Sequence, residues 1–214
     1  MKIRPNIIGV AACVVALSAG IPAQAQGLLT DPGFESGGVA SPWSTFNGGA
    51  FSQTFAHSGT WSMHDNGLGG FGVPGSFQIL ATVAGSAYDL SGFGLTSATP
   101  GTGTTFGALQ ITFFSGPNGT GSNLGTVATT PGNAQVSNQI NANSPTGVWI
   151  PLDTGTAIAP AGAQSLEVFT IVVDQNAANV FFDDISLVAV PEPSSFALAG
   201  LGASGLLAVL RRRK

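Results

Sequence analysis

Between residues 26 and 190 the chain has no lysine and no arginine. All six basic residues sit at the ends: Lys2, Arg4, Arg211, Arg212, Arg213 and Lys214. Nine carboxylates lie between them: Asp31, Glu35, Asp65, Asp89, Asp153, Glu167, Asp174, Asp183 and Asp184. The formal net charge of −4 therefore conceals a central region with nine negative charges and no positive one, −9 in all. Nucleic-acid binding needs Lys or Arg against phosphate and is excluded for this region. Carboxylates without cationic side chains must be solvated, hydrogen-bonded, or bound to a cation. A hard cation such as Ca²⁺ takes oxygen ligands of this kind.

Cysteine is nearly absent too. Cys13 is the only one and lies in the N-terminal apolar stretch, so the central region cannot form a disulfide within itself. Its stability must come from its core, or from a metal. Histidine is limited to His57 and His64, and there is no G-x-S-x-G elbow or H-E-x-x-H helix. Asp65 follows His64 directly, but neighbours on a strand point to opposite faces, which argues against an acid–base pair. The reading is of a protein that is not an enzyme.

Helical periodicity is missing from the middle of the chain, and alternation takes its place. Phe77, Ile79, Ala81 and Val83 alternate with Gln78, Leu80 and Thr82. Leu109, Ile111 and Phe113 alternate with Gln110 and Thr112, and Leu166, Val168, Thr170 and Val172 with Glu167, Phe169, Ile171 and Val173. Val180 to Val190 is a further run. A period of two with β-branched and aromatic residues indicates strands. Gly85-Ser86, Gly116-Pro117-Asn118-Gly119, Pro131-Gly132-Asn133 and Asp153-Thr154-Gly155 read as the turns between them. About eight strands in a region of this length predict an all-β, two-sheet antiparallel sandwich of jelly-roll type.

The ends read as targeting signals. Lys2 and Arg4 precede an apolar stretch, Ile7 to Ile21, and Ala23-Gln24-Ala25 is a small-x-small cleavage site. Residues 1–25 are expected to be a signal peptide for Sec export, removed after Ala25. At the other end, Pro191-Glu192-Pro193 breaks regular structure. Phe196 to Leu210 then runs for 15 residues without a charge, and Arg211-Arg212-Arg213-Lys214 closes the chain. Such a pattern predicts a single transmembrane helix, about 194–210, with the basic tail 211–214 left in the cytoplasm.

Val190-Pro191-Glu192-Pro193-Ser194, the Ala/Gly/Leu-rich stretch and the terminal Arg-Arg-Arg-Lys together resemble a PEP-CTERM protein-sorting signal over 190–214. The resemblance implies recognition by an exosortase, a membrane transpeptidase of Gram-negative bacteria that make exopolysaccharide. The chain would be held in the inner membrane, then processed and released to the cell surface or extracellular matrix. The expected organisation is signal peptide 1–25, ectodomain 26–189 and sorting signal 190–214.

Five segments of the ectodomain resemble carbohydrate-binding-module-like jelly rolls. Asp31-Pro32-Gly33-Phe34-Glu35-Ser36, with Trp43 downstream, is similar to the opening N-x-G-F-E strand, and His57 to Met63 to the following h-S-G-x-x-s-l segment. Gly85 to Gly92 is similar to G-x-x-Y-x-L-S-G, and Ala159 to Ala163 and Phe181 to Leu187 to the last two landmarks. The resemblance implies a structural Ca²⁺ beside the sandwich. Carried over by position, Glu35 and Asp183 would give side-chain oxygens, with carbonyls from Gly33, Ser58 or Thr60. Alternation independently places Asp183 on one face with Phe181, Ile185 and Leu187, where a carboxylate needs a cation or several donors. The alternative is that Asp183 caps backbone amides and binds no metal. For a glycan, Trp43, Trp61, Trp149 and Tyr88 are the candidate platforms, and the resemblance implies that Tyr88 is a buried structural residue instead.

Two functions remain open. One is a surface or matrix protein that associates with exopolysaccharide. The other is a module that binds a defined glycan, for which a cluster of exposed aromatics on one sheet would be the mark.

Overall fold

The structure is a computed structural model that describes residues 27–98, 105–129, 139–173 and 176–190. The expected signal peptide, residues 1–25, and the sorting motif from Pro191 onward, including its expected helix, lie outside the described residues, as does the turn expected at Pro131-Gly132-Asn133.

Among the described residues the regular elements are ten strands: β1 (Ser44–Phe46), β2 (Gly49–Ser52), β3 (Ser62–Gly67), β4 (Gly75–Ala81), β5 (Ala87–Thr96), β6 (Phe106–Phe114), β7 (Asn123–Ala128), β8 (Ile150–Ile158), β9 (Ser165–Val173) and β10 (Ala178–Val190). They form two five-stranded sheets, ordered β1-β4-β9-β6-β7 and β2-β3-β10-β5-β8. Every paired strand is antiparallel. The expected two-sheet sandwich is present, with two strands more than the reading of about eight. The short strands β1 and β2 are joined by the Asn47-Gly48 turn, which has positive φ at both residues, 49° and 109°. They pair with β4 and β3 respectively, in different sheets, so this β1–β2 corner closes one edge of the sandwich.

The inner faces supply the core. Leu109, Ile111 and Phe113 of β6 meet Leu166, Val168 and Val172 of β9, and across the sandwich Leu90, Leu152, Phe182, Ile185 and Leu187. One polar intruder is satisfied by the chain's start. Gln78 points inward, accepts from Thr30 N at 2.9 Å and donates to Thr30 O at 2.9 Å. Leu28 N donates to Leu187 O at 2.8 Å, so the N-terminal segment lies along β10.

Three local expectations are corrected. The Asp31–Ser36 segment is a turn rather than a strand, because Asp31 and Phe34 adopt left-handed φ of 54° and 59°. Asp153-Thr154-Gly155 lies inside β8 as an irregularity, with Gly155 at φ 65° and its N–H donating to Asp153 Oδ1 at 2.6 Å. The third correction concerns β10. The register against β5 slips by one residue between Asp183 and Ser186, and Asp184 sits at φ 50°. Such a bulge reverses which side chains face inward. Val180 and Phe182 face the core before it, Ile185 and Leu187 after it. Phe181 and Asp183 therefore lie on the outer face and do not share a side with Ile185 and Leu187.

Candidate functional site

On the outer face of the second sheet, the 53–61 segment covers β10. Phe55 packs edge-on to Phe181 at 5.0 Å, and His64 stacks on the same ring at 4.3 Å. Asp183, fully buried beneath this segment, accepts from His57 N at 2.7 Å and Ser58 N at 3.1 Å on one oxygen. Its other oxygen accepts from Asp184 N at 2.7 Å. Burial pushes the Asp183 carboxyl up to about 6, the three amides hold it down, and the charge of Asp184 adds to the upward push. Asp184 ties down the side chains of the same turn: His57 Nδ1 lies 2.7 Å from its Oδ2, and Ser58 Oγ donates to its Oδ1 at 2.6 Å. The bulge thus aims two successive carboxylates at one loop.

Glu35 holds the same loop further along, past Gly59. Its carboxylate accepts from Thr60 N at 2.9 Å and Trp61 N at 3.0 Å. Gly33 stands between the two anchoring points. A Cβ there would lie 3.5 Å from Asp184 Oδ1, 3.7 Å from Asp183 Oδ1 and 3.8 Å from Glu35 Cγ. The residues named from the sequence, Glu35, Asp183, Gly33, Ser58 and Thr60, therefore come together, joined by Asp184, which sequence reasoning left out. The described role of Ser58 and Thr60 is to donate amides to the carboxylates. Among the described residues no group of three or more His, Cys, Asp or Glu side chains has the arrangement of a metal site.

The tryptophans disperse. Trp43 is a core residue, 4% exposed, with Nε1 donating to Asp31 O at 2.9 Å and its ring 5.0 Å from Phe34. It is not an exposed platform. Trp61 is half-buried, packed against the Phe34–Gly38 turn, where a Cβ at Gly37 would overlap its ring. Trp149 is half-buried edge-on to His57, which itself stacks on Phe93 at 3.7 Å. Tyr88 is buried as expected, its hydroxyl 2.7 Å from that of Thr82.

The outer face of the first sheet carries an aromatic cluster that the tryptophan search missed. Phe77 of β4 and Phe169 of β9 are register partners, 5.7 Å apart. Phe46 of β1 joins them at 6.1 and 6.2 Å. All three are half-buried. Gln110 of β6 continues the row beyond Phe169. The adjacent row runs Ile79, Glu167, Thr112, Thr126. Gln110 Nε2 donates to Thr112 Oγ1 at 3.0 Å, and the two threonine hydroxyls lie 3.2 Å apart. The β6–β7 turn overhangs this end, and a Cβ at Gly119 would collide with Glu167 Oε1 at 2.1 Å. Partial burial there pushes the Glu167 carboxyl above its usual range. Aromatic faces beside amide, hydroxyl and carboxyl groups offer both the CH contacts and the hydrogen bonds that a sugar ring uses. A signal was present in the sequence: β9 is apolar at both parities, which gives its outer face Phe169, Ile171 and Val173.

Residues 189–214 match the family described as the PEP-CTERM protein-sorting motif. Comparison with curated proteins gives no match. Among solved structures, the chain is similar to a Family 16 Carbohydrate Binding Module-2, with 19% identity, a TM-score of 0.52, 76% of this chain and 99% of that one covered. It is similar to TmCBM61, solved in complex with β-1,4-galactotriose, at 17% identity and a TM-score of 0.50, covering 77% of this chain and 99% of the other. The C-terminal family 22 carbohydrate-binding module of Clostridium thermocellum Xyn10B is similar at 14% identity and a TM-score of 0.51, covering 78% and 97%. At these identities the likeness establishes the fold. The chain thus carries a PEP-CTERM protein-sorting motif behind a jelly-roll sandwich of the kind found in carbohydrate-binding modules.

Proposed function

We propose that this is a non-enzymatic exported protein, sorted by an exosortase, whose ectodomain associates with exopolysaccharide at the cell surface or in the matrix. The observation that carries the glycan contact is the Phe46–Phe77–Phe169 cluster beside Gln110 and Glu167 on one sheet face. A clustered aromatic face also favours the narrower reading, a module for one defined glycan. The two readings differ in breadth of recognition. A glycan panel probed with the exported, processed protein separates them: several acidic or neutral polysaccharides bound weakly supports matrix association, one bound sharply supports the module. Absence of binding to every polysaccharide, including the host's own, contradicts both.

We also propose that Ca²⁺ stabilises the junction of Glu35 and Asp183, with Gly33, Ser58 and Thr60 offering carbonyls. The donors there are all oxygen, the carboxylates of Asp183 and Asp184 lie beside Gly33 with that of Glu35 further along the same loop, and no Lys or Arg exists between residues 26 and 190 to offset them. A hard cation suits such a set. Since the side chains alone make no metal cluster, backbone carbonyls would complete the shell. Calcium at about 100 times its Kd would add roughly 2.7 kcal/mol, a rise in Tm of roughly 5–10 °C for a domain of this size. Equal melting in excess calcium and in chelator, with Mg²⁺ at matched ionic strength as control, would remove the metal from the account.

A further inference from the structure

Asp65 is the buried group that neither the sorting signal nor the glycan face uses. It lies on β3 with its side chain inside the sandwich, fully shielded from solvent, and neither carboxyl oxygen has a well-formed hydrogen bond, the Thr170 hydroxyl being the one donor close enough to act on it. Its strand neighbour His64 points the other way, onto Phe181. The groups around Asp65 are few and small. Gly49 and Val180 flank it in register on β2 and β10. Across the sandwich stand Ser76 and Thr170, both fully buried, whose hydroxyls are 2.8 Å apart and bonded to each other. The two sheets nearly touch at this point. A Cβ at Gly49 would lie 2.2 Å from Gly75 O and 3.2 Å from Asp65 Oδ1.

No charge is at hand to compensate an ionised Asp65. Strands β2 and β4 contain no titratable residue. On β9 the only one is Glu167, which lies on the outer face next to Ile79. On β10 Asp183 and Asp184 face the 53–61 segment on the outer side. On β3 itself only His64 titrates besides Asp65, and it faces outward. A bare carboxylate in such a place is far more costly than the neutral acid, which can donate its O–H towards Thr170.

We propose that Asp65 is a buried proton site: the folded ectodomain holds it as the neutral acid, and loss of that proton loosens the β1–β2 corner that seals it from water. This corner is the natural point of yielding. β2 is a four-residue edge strand on β3 and β1 a three-residue edge strand on β4, so few hydrogen bonds hold either in place. Burial raises the Asp65 carboxyl well above its ordinary value, and the Thr170 hydroxyl offsets only part of that push. The sign follows from linkage. A carboxyl whose proton is held more tightly in the folded state favours folding fully below its unfolded value near 3.8. That contribution fades as pH rises towards the folded value. The ectodomain is then tightest in acid, opposite to the usual behaviour of paired carboxylates.

The test compares the exported wild-type chain with Asp65→Asn from pH 4 to pH 8. Thermal melting and hydrogen exchange at Gly49–Ser52, corrected for intrinsic exchange, are the two readouts. The wild type should lose Tm and gain exchange at β2 as pH rises, and Asp65→Asn should show a markedly flatter dependence in both. Asp65→Ser, neutral and smaller, serves the same comparison if the Asn amide disturbs packing. Infrared spectra of the wild type should show a neutral aspartic carboxyl at pH 7 that either variant removes. Parallel pH dependence in wild type and variants, or no neutral carboxyl at pH 7, would overturn the proposal.

Discussion

Asp183 has three amide donors and no cationic side chain beside it. Its substitution therefore separates two roles. Asp183→Asn keeps the volume but removes one acceptor oxygen, leaving amides of the 57–58 turn or of Asp184 unpaired. The variant should lose about 1–3 kcal/mol in chelator, the scale of a buried polar group left unsatisfied. If calcium also binds, the deficit grows in excess calcium. Chemical denaturation in both media measures it, and equal deficits would leave the amide clamp as the whole role of Asp183. Residue identity was legible at this site, but geometry was not. Glu35 and Asp183 were identified by position and do meet around Gly33. Asp184 was missed, because nothing in a run of two aspartates announces that one will adopt φ 50° and turn its carboxylate onto His57 and Ser58. The tryptophans misled for a related reason. Size marks an aromatic but does not say which side it faces, and Trp43 went into the core while three phenylalanines took the sheet surface.

Strands were the most legible level. The alternation in β4, β6, β9 and β10 was visible because each is long enough for several periods. The β1–β2 corner escaped, since strands of three and four residues carry too little pattern. The bulge in β10 escaped as well, and one unseen slip was enough to put Phe181 and Asp183 on the wrong side of the sheet. Close approach between elements is where glycine decides. A Cβ at Gly75 would lie 2.3 Å from the Thr170 carbonyl oxygen and 2.7 Å from Phe46 Cζ. Gly75→Ala should therefore destabilise the fold by about 1–3 kcal/mol through strain between β4 and β9. That corresponds to a Tm loss of roughly 3–10 °C, read by calorimetry. The variant should also displace Phe46 from the aromatic cluster. An unchanged Tm would mean that β4 and β9 have room for a side chain at this position.

At the scale of the whole molecule, an acidic sandwich is joined to a motif that specifies sorting. In a host with an exosortase, replacing Pro191-Glu192-Pro193 with three alanines should leave the chain uncleaved in the inner membrane. Immunoblots of membrane and extracellular fractions read the outcome, and normal release would detach processing from that motif. The central claim, however, is that the ectodomain meets polysaccharide through the outer face of the first sheet. Affinity for the host exopolysaccharide in three forms tests it most directly: wild type, Phe77→Ala/Phe169→Ala and Trp149→Ala, each confirmed folded by its melt. The account predicts at least a tenfold weakening, about 1.4 kcal/mol, for the double variant, and wild-type affinity for Trp149→Ala on the opposite sheet. Undiminished binding by the double variant, or loss of binding confined to Trp149→Ala, would contradict it.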